Sequence, residues 1–245
     1  MKAMILAAGL GTRLRPLTDD RPKALVEVAG HTMLEMTLRR LRHFGIHEVI
    51  INVHHFADMV VDYLKKNSDF GMQLEISREE ILLDTGGGLK KAGWFFSGQN
   101  EPFVLHNVDV ISSIDLQRMW QVHRESEALA TLAVQDRETS RYLLFDERDQ
   151  LCGRRAGRDG RFETVRSNRE TRALAFCGVH IISPKLLTEI SEDGIFSIIT
   201  SYLRLAGQGE RICAFRADEY YWRDLGKPEH IAQANRDIES HVVQI

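Results

Sequence analysis

Apolar runs alternate with amphipathic stretches from the first residue of this 245-residue chain. Two short runs, KAMILAA at 2–8 and HEVIINV at 47–53, have the length and composition of buried strands. Residues 32–45 and 56–67 instead repeat apolar side chains at helical spacing. The two stripes are Leu34, Leu38, Leu41 and Phe44, then Phe56, Val60 and Leu64. The chain therefore begins as strand, helix, strand, helix.

The same alternation continues to residue 136. Three more strand-like runs and two more helix-like stretches follow one another with short connections. The strands are predicted at 72–77, 102–110 and 128–135, and the helices at 87–96 and 115–126. Such alternation predicts an α/β fold of three layers, with a mainly parallel central sheet and helices on both of its faces.

The pattern changes after residue 136. Segments 141–147, 150–156 and 161–167 are short, interrupted by polar residues and separated by turn residues, which predicts a β-rich insertion. A long strand is predicted at residues 172–184, and helices are predicted at 196–209 and 228–243. We predict one domain, 1–245. It has a core at 1–136, the small β-rich portion at 137–185, and a C-terminal part at 186–245.

Composition excludes several classes of function. The formal net charge is -3, and no dense lysine and arginine stripe suggests a nucleic acid partner. The most basic stretch, RRAGRDGR at 154–161, is broken by glycines and reads as a solvated turn. No apolar run approaches the ~20 residues of a membrane span. Cys152, Cys177 and Cys213 are widely spaced, which favours free thiols in a cytoplasmic protein. A cleavable signal is not expected, because its removal would destroy the loop that follows the first strand.

That loop, within LAAGLGTRLRPLTDDRPKALVEVAG at 6–30, carries the strongest chemical signal. It is not a dinucleotide fingerprint, because Leu14 stands where the third glycine belongs, and it does not match Walker A. Gly9 and Gly11 let the backbone approach a phosphate closely. Arg13 can grip phosphate oxygens bidentately, and Lys23 adds a point charge. We expect both cations to be exposed loop charges and the ligand to be a triphosphate.

Ten positions of this segment match the pattern G-x-G-T-R-x-R-P-L-T-x-x-x-P-K. They are Gly9, Gly11, Thr12, Arg13, Arg15, Pro16, Leu17, Thr18, Pro22 and Lys23. The segment resembles the sugar-1-phosphate nucleotidyltransferases, closest to the N-acetylmuramate 1-phosphate uridylyltransferase and mannose-1-phosphate guanylyltransferase-like subgroup. The resemblance implies a Rossmann-like sheet, Mg²⁺ and release of pyrophosphate from a nucleoside triphosphate. It also implies nucleotide contacts from Leu6, Ala7, Ala8, Gly9, Gly11, Thr12, Arg13 and Lys23.

Joining two polyanions requires neutralisation of charge rather than an enzyme nucleophile, so carboxylates for Mg²⁺ are needed. Asp109 follows an apolar strand, although Val108 replaces the family's usual glycine before it. Asp224 lies in YYWRDLGKPEHI, which resembles the family's W-x-D-[VI]-G-T-P with Lys227 in place of threonine. We expect both aspartates to bind Mg²⁺ at the carboxyl edge of the sheet. Arg13, Lys23 and Asp109 are the predicted catalytic residues.

A third segment, LLDTGGGLKKA, resembles L-[DE]-T-G-G-G of the same subgroup. The resemblance implies nucleotide contacts from Thr85, Gly86 and Gly87, and substrate contacts from Asn107 and Gly178. The glutamate and lysine that many relatives place around the sugar phosphate, as E-K-P, are missing. Three other cations are possible substitutes: Arg141, Arg172 and Lys185.

The base and the sugar stay open at this point. UTP is the first choice of nucleotide and GTP the second, and a monomer or small homo-oligomer is expected. A cytidylyltransferase for a non-sugar phosphate such as phosphocholine shares the N-terminal motif. A regulatory homologue that binds nucleotide without turnover is the alternative from another class.

Overall fold

A ten-stranded mixed sheet forms the centre of the protein in a computed structural model that describes residues 1–156, 161–166 and 170–243. The strands are β1 (Lys2–Leu6), β2 (Glu27–Val28), β3 (His31–Thr32), β4 (Glu48–Val53), β5 (Gln73–Arg78), β6 (Phe103–Asn107), β7 (Val110–Ser112), β8 (Ala130–Gln135), β9 (Arg141–Phe145), β10 (Leu151–Ala156), β11 (Arg161–Thr164), β12 (Arg172–Ile182), β13 (Ile212–Arg216) and β14 (Trp222–Asp224). The α-helices are α1 (Met33–His43), α2 (Ala57–Lys66), α3 (Asp84–Ala92), α4 (Leu116–Glu125), α5 (Lys185–Glu189), α6 (Ile198–Gly207) and α7 (Pro228–Glu239).

One half of the sheet is parallel throughout, in the order β6-β1-β4-β5. Its inner strands β1, β4 and β6 are mostly buried because helices cover both sides, whereas the edge strand β5 alternates exposed and less exposed residues. Ile5 of β1 packs into a cluster with Leu38 of α1, whereas its neighbour Met4 packs into a second cluster with Leu89 of α3. Alternate residues of one strand thus enter two different cores. The predicted three-layer α/β fold is confirmed.

The other half of the sheet is built around β12. This eleven-residue strand runs antiparallel to β6, β8 and β9, and β13 joins β8 in parallel. Strands β9, β10 and β11 extend the sheet as an antiparallel meander. The pairing of β12 with β8 shifts register between Phe176 and His180, around Gly178 at φ +75°.

The predicted elements agree with the structure in type and differ at their ends. Helix α1 begins after Thr32, whose hydroxyl accepts the Glu35 N–H at 3.0 Å as an N-cap. The strand predicted at 102–110 is wrong in its continuity, because Val108 and Asp109 form a turn between β6 and β7. Phe56 does not join the buried stripe of α2, since it precedes that helix at φ +57° and is half-buried.

Other expectations concern the surface and the thiols. Residues 157–160, at the centre of the predicted basic turn, lie outside the described residues, and Arg154 beside them pairs with Glu163 at 2.7 Å. All three cysteines are buried, and Cys177 and Cys213 are free thiols. None of the helices in the described part of the chain is both long and apolar enough to cross a bilayer.

Candidate active site

The glycine loop leaves β1 at the carboxyl end of the parallel strands. Gly11 adopts φ +65°, and a Cβ on it would lie 2.9 Å from Cγ2 of Thr18 and 3.1 Å from Cβ of Lys23. The hydroxyl of Thr18 donates to the Gly11 carbonyl at 2.9 Å. Only glycine therefore fits where the loop folds back on itself. Gly9 has open space around it, as a close approach of ligand to backbone requires.

Lys23 forms an ion pair with Asp109, whose Oδ2 accepts from the ammonium group. Both side chains are largely enclosed, at 12% and 16% exposure. The expectation of an exposed charge is thus wrong for Lys23 and correct for Arg13, whose side chain is exposed. The ion pair holds the glycine loop against the turn that follows β6.

Asp224 reaches the same region through a small second sheet. Strand β14 pairs antiparallel with β7, which sets Asp224 opposite Val110, and the Leu225 N–H donates to the Asp109 carbonyl at 2.7 Å. Asp224 therefore lies across from the residue that follows Asp109 in the chain. The expectation that both lie on the edge of the central sheet is wrong for Asp224, because β7 and β14 form a separate two-stranded sheet.

Gly226 brings Arg13 and Asp224 to one point. A Cβ on Gly226 would lie 2.6 Å from Nη2 of Arg13 and 2.8 Å from Oδ1 of Asp224. That Oδ1 also accepts the Gly226 N–H at 2.9 Å, and His230 lies 3.6 Å from it. The Arg13 guanidinium and the Asp224 carboxylate thus both lie against Gly226, close to the space that a side chain there would fill.

A cavity of about 460 Å³ opens between these elements. Its lining combines residues from the glycine loop, the β6–β7 turn and the start of α3. They are Leu6, Ala8, Gly9, Lys23, Asn52, Leu82, Asp84, Thr85, Asn107, Val108, Asp109 and Ile195. Seven predicted site residues lie there: Leu6, Ala8, Gly9, Lys23, Thr85, Asn107 and Asp109. Within the described chain, Ala7, Gly11, Thr12, Arg13, Gly86, Gly87, Gly178 and Asp224 stand outside this lining.

Gly86 and Gly87 pack against the segment before α6. Their N–H groups donate to the Phe196 carbonyl at 2.9 and 3.3 Å, and a Cβ on Gly86 would lie 2.3 Å from the Phe196 ring. Thr85 accepts the Ile198 N–H at 3.0 Å. These glycines allow two segments to approach closely, and Leu82, Asp84 and Thr85 are the residues of this motif that face the cavity.

Asn107 and Gly178 are neighbours across β6 and β12. A Cβ on Gly178 would lie 2.8 Å from Nδ2 of Asn107 and 3.0 Å from Cγ2 of Val110. The absence of a side chain at Gly178 therefore leaves room for the Asn107 amide, which lines the cavity.

Two buried polar residues that support the site, Asn52 in the cavity lining and Glu79 behind it, were not predicted from the sequence. Asn52 of β4 accepts the Ala7 N–H at 2.7 Å and donates to Oε1 of Glu79 at 2.7 Å, and Oε2 of Glu79 accepts the Leu83 N–H at 3.0 Å. Both side chains are buried, at 2% and 4% exposure. The available signal was an amide inside the apolar run HEVIINV, since a buried amide needs partners.

Of the carboxylates near the cavity, Asp109 and Asp224 are the candidate metal ligands, because the bond from the Leu225 N–H to the Asp109 carbonyl brings their two segments together. Burial lowers the pKa of His106 to about 4, so this imidazole is neutral at neutral pH, and its Nδ1 lies 2.8 Å from the Asn107 carbonyl. No group of three or more histidine, cysteine or acidic side chains in the described residues could hold a metal. Asp109 and Asp224 suit an ion that takes oxygen ligands and keeps several waters.

Comparison with known proteins agrees with this geometry. The family model for nucleotidyl transferases matches residues 2–151. An N-acetylmuramate alpha-1-phosphate uridylyltransferase of Caulobacter vibrioides is 37% identical over 242 residues, covering 93% of this chain and 92% of the relative. A mannose-1-phosphate guanyltransferase of Debaryomyces hansenii is 30% identical over 234 residues, covering 94% of this chain and 62% of the relative.

Among solved structures, a putative glucose-1-phosphate thymidylyltransferase from Bacillus anthracis superposes with a TM-score of 0.79 at 19% identity, covering 100% of this chain and 97% of that one. This likeness concerns the fold. The resemblance carried by the glycine loop is confirmed by the sequence relatives and the family match. The chain belongs to the nucleotidyl transferase family of enzymes.

Proposed function

We propose that this enzyme transfers a nucleotidyl group from a nucleoside triphosphate to a sugar 1-phosphate, giving a nucleotide sugar and pyrophosphate. The cavity is the observation that carries the proposal, because the glycine loop, the Lys23–Asp109 pair and Thr85 face one space there. A nucleotide can lie with its phosphates on the loop and its base towards the start of α3, where Leu82 and Thr85 lie.

The reaction needs positioning and charge neutralisation. An oxygen of the sugar phosphate attacks the α-phosphorus, the bond between the α-phosphorus and the bridging oxygen breaks, and pyrophosphate leaves. Arg13 and Lys23 offset the charge of the triphosphate. A cysteine nucleophile is not required, and burial raises the pKa of the Cys177 thiol to about 12, which keeps it protonated.

The Lys23–Asp109 pair also prepares the site for its ligands. Before substrate binds, each charge compensates the other in a partly enclosed position. When Lys23 turns to a phosphate, Oδ2 of Asp109 is released for another partner. Asp109 and Asp224 are the proposed ligands of Mg²⁺, which would stabilise negative charge on the phosphates when bound. Arg13, Lys23 and Asp109 are the proposed catalytic residues.

The relatives guide the choice of substrates. The Caulobacter vibrioides relative is named for a uridylyl transfer to N-acetylmuramate 1-phosphate, which favours UTP, and the Debaryomyces hansenii relative favours GTP as the second choice. We assign residues 1–136 to nucleotide binding, 137–185 to the sugar, and 186–245 to completing the metal site. The free thiols of Cys177 and Cys213 support a cytoplasmic location.

A matrix of four nucleoside triphosphates against sugar 1-phosphates tests the proposal through pyrophosphate release. N-acetylmuramate, mannose and glucose 1-phosphates are included, with phosphocholine as the non-sugar acceptor. We expect the highest rate with UTP and a sugar 1-phosphate. Turnover of CTP with phosphocholine alone would establish the cytidylyltransferase alternative, and nucleotide binding without any turnover the regulatory one.

The Asp109→Asn variant tests the role of this carboxylate in the same pyrophosphate-release assay. The amide keeps the shape of the side chain and removes the charge, so turnover should fall by about 10²-fold or more, the scale of one lost electrostatic contact in a transition state. Asp58→Asn is the control, because that carboxylate is 85% exposed and pairs with Arg78 on the surface. Equal activity of both variants would contradict the assignment of Asp109.

A further inference from the structure

Arg137 lies just after β8, where its guanidinium packs into the junction between β12 and β14. Its Nη2 donates to the Phe176 carbonyl at 2.9 Å, and its Cζ lies 3.7 Å from the centroid of the Trp222 ring. The side chain is half-buried. A guanidinium that lies over the face of an indole ring and donates to a carbonyl is restrained in its orientation.

The charge of Arg137 has no compensating carboxylate in the described part of the chain. Its Nε is buried and has no hydrogen-bond partner there. The neighbouring Cys177 thiol is neutral, because burial raises its pKa to about 12 although Arg137 acts in the opposite direction. Asp218, which also acts on that thiol, is engaged by Arg216 and by the Asp136 N–H, each at 2.7 Å. An uncompensated, half-buried cation is costly unless an anion binds beside it.

The position of Arg137 connects it to the proposed acceptor side of the site. Trp222, on which it stacks, begins the three-residue strand that ends at Asp224. The indole N–H of Trp222 donates to the Cys177 carbonyl at 2.7 Å, one residue before Gly178. Gly178 in turn borders the Asn107 amide in the cavity. Successive contacts therefore connect Arg137 through Trp222 and Gly178 to Asn107, which lines the cavity.

The cations suggested by sequence alone are less suitable. Arg172 is paired with Asp149 and Lys185 with Glu210, each at 2.8 Å on the surface. Arg141 is exposed at the start of β9. None of the three stacks on an aromatic ring of the site. Arg137, in contrast, is restrained by Trp222 and the Phe176 carbonyl and has no carboxylate partner in the described residues.

We propose that Arg137 binds the phosphate of the acceptor substrate and so takes the part of the missing E-K-P lysine. The inference rests on the proposed function, since it assigns the acceptor as a sugar 1-phosphate. Binding of a phosphate by the guanidinium supplies the missing counter-charge and leaves the stack on Trp222 intact. Arg137 then draws the acceptor phosphate towards the nucleotide, against the repulsion between two polyanions.

Steady-state kinetics of Arg137→Gln tests the proposal with the best nucleotide and sugar 1-phosphate of the wild-type matrix. Glutamine retains a donor for the Phe176 carbonyl and removes the charge. We expect KM for the sugar 1-phosphate to rise about tenfold or more, the scale of a lost charge-assisted contact. KM for the nucleoside triphosphate should stay within about twofold, and the melting temperature should change little. Arg124→Gln is the matched control, because Arg124 stacks on Trp120 at 4.8 Å on α4, away from the site, and neither KM should change.

A rise in KM confined to the sugar 1-phosphate supports the proposal, and an unchanged KM overturns it. A parallel loss in kcat and in melting temperature with both KM values constant would also overturn it, since that is the result of a purely structural role. If Arg137→Gln does not fold, Arg137→Lys decides the question. Lysine keeps the charge and loses the planar fork, so KM for the sugar 1-phosphate should rise severalfold, and an unchanged value refutes the assignment. Absence of turnover in the wild-type matrix would instead refute the proposed function itself.

Discussion

Replacement of Gly226 by alanine separates the geometry of the site from the stability of the fold. The residue has no positive φ, so the backbone accepts an alanine without strain. The added Cβ would lie 2.6 Å from Nη2 of Arg13 and 2.8 Å from Oδ1 of Asp224. The perturbation therefore falls on two side chains that we assign to substrate and metal, and on little else.

The size of the effect follows from the overlap. Non-bonded heavy atoms pack at about 3.5 Å, so Arg13 and Asp224 must retreat by roughly 0.7 to 0.9 Å. A displacement of about 1 Å costs on the order of 10²-fold in rate, which is about 2.7 kcal/mol in the barrier. The guanidinium is the far end of an exposed, flexible side chain, so its displacement should cost little stability.

We expect Gly226→Ala to lower kcat by about 10²-fold, with a melting temperature close to that of the wild type. Pyrophosphate release and thermal unfolding are the two measurements. Gly93→Ala is the matched control, because its added Cβ would meet only Cδ2 of Leu187 at an ordinary 3.9 Å. A Gly226→Ala enzyme with kcat within threefold of the wild type would refute the functional role of the close packing of Arg13 and Asp224 against Gly226.

Three further predictions follow from burial and charge. Lys23→Ala and Arg13→Ala should each lower turnover by about 10²-fold. Only Lys23→Ala should also lower the melting temperature, because it removes the partner of an enclosed carboxylate; equal melting temperatures would contradict the ion pair. Asp224→Asn should remain folded, since its amide oxygen still accepts the Gly226 N–H. A metal titration should show that this variant has lost most of its Mg²⁺-dependent activity. A wild-type rate would exclude Asp224 as a metal ligand. Burial lowers the pKa of His123 to about 4 and of His180 to about 3, so the folded chain binds fewer protons than the unfolded chain below pH 6.5. The stabilisation is complete above that pH and declines as pH falls, by about 2 kcal/mol per histidine between pH 6.5 and 5.0. Denaturant titrations across this range measure the decline, and a constant free energy of unfolding would show that these histidines titrate normally.

Sequence reasoning located the elements whose periodicity extends over several turns or strand residues. Helix α1 and strand β1 lie within two residues of the predicted ends, because each buries a regular face. The separate β7–β14 sheet was not predicted. Each of its strands has three residues, too few for alternation to be visible, and their pairing joins segments that are remote in sequence.

The site shows the same division. Sequence reasoning predicted Lys23 from the pattern of the glycine loop and Asp109 from its place after an apolar strand, and the structure places both in one cavity. It could not predict that the two form an ion pair, because that contact depends on how the β6–β7 turn packs. Arg137 went unnoticed for a related reason, since its environment is set by Trp222 and Phe176 from two distant strands.

The Asn52–Glu79 connection has a mechanical consequence for the enzyme. One end holds the Ala7 N–H of the glycine loop, and the other holds the Leu83 N–H in front of α3. Widening the gap between these segments would break hydrogen bonds inside the protein, at about 1 to 3 kcal/mol for each group left without a partner. The mouth of the cavity is therefore held at a fixed width. In the proposed binding mode, Asn52 in the lining and Glu79 behind it limit the size of the base that the cavity admits.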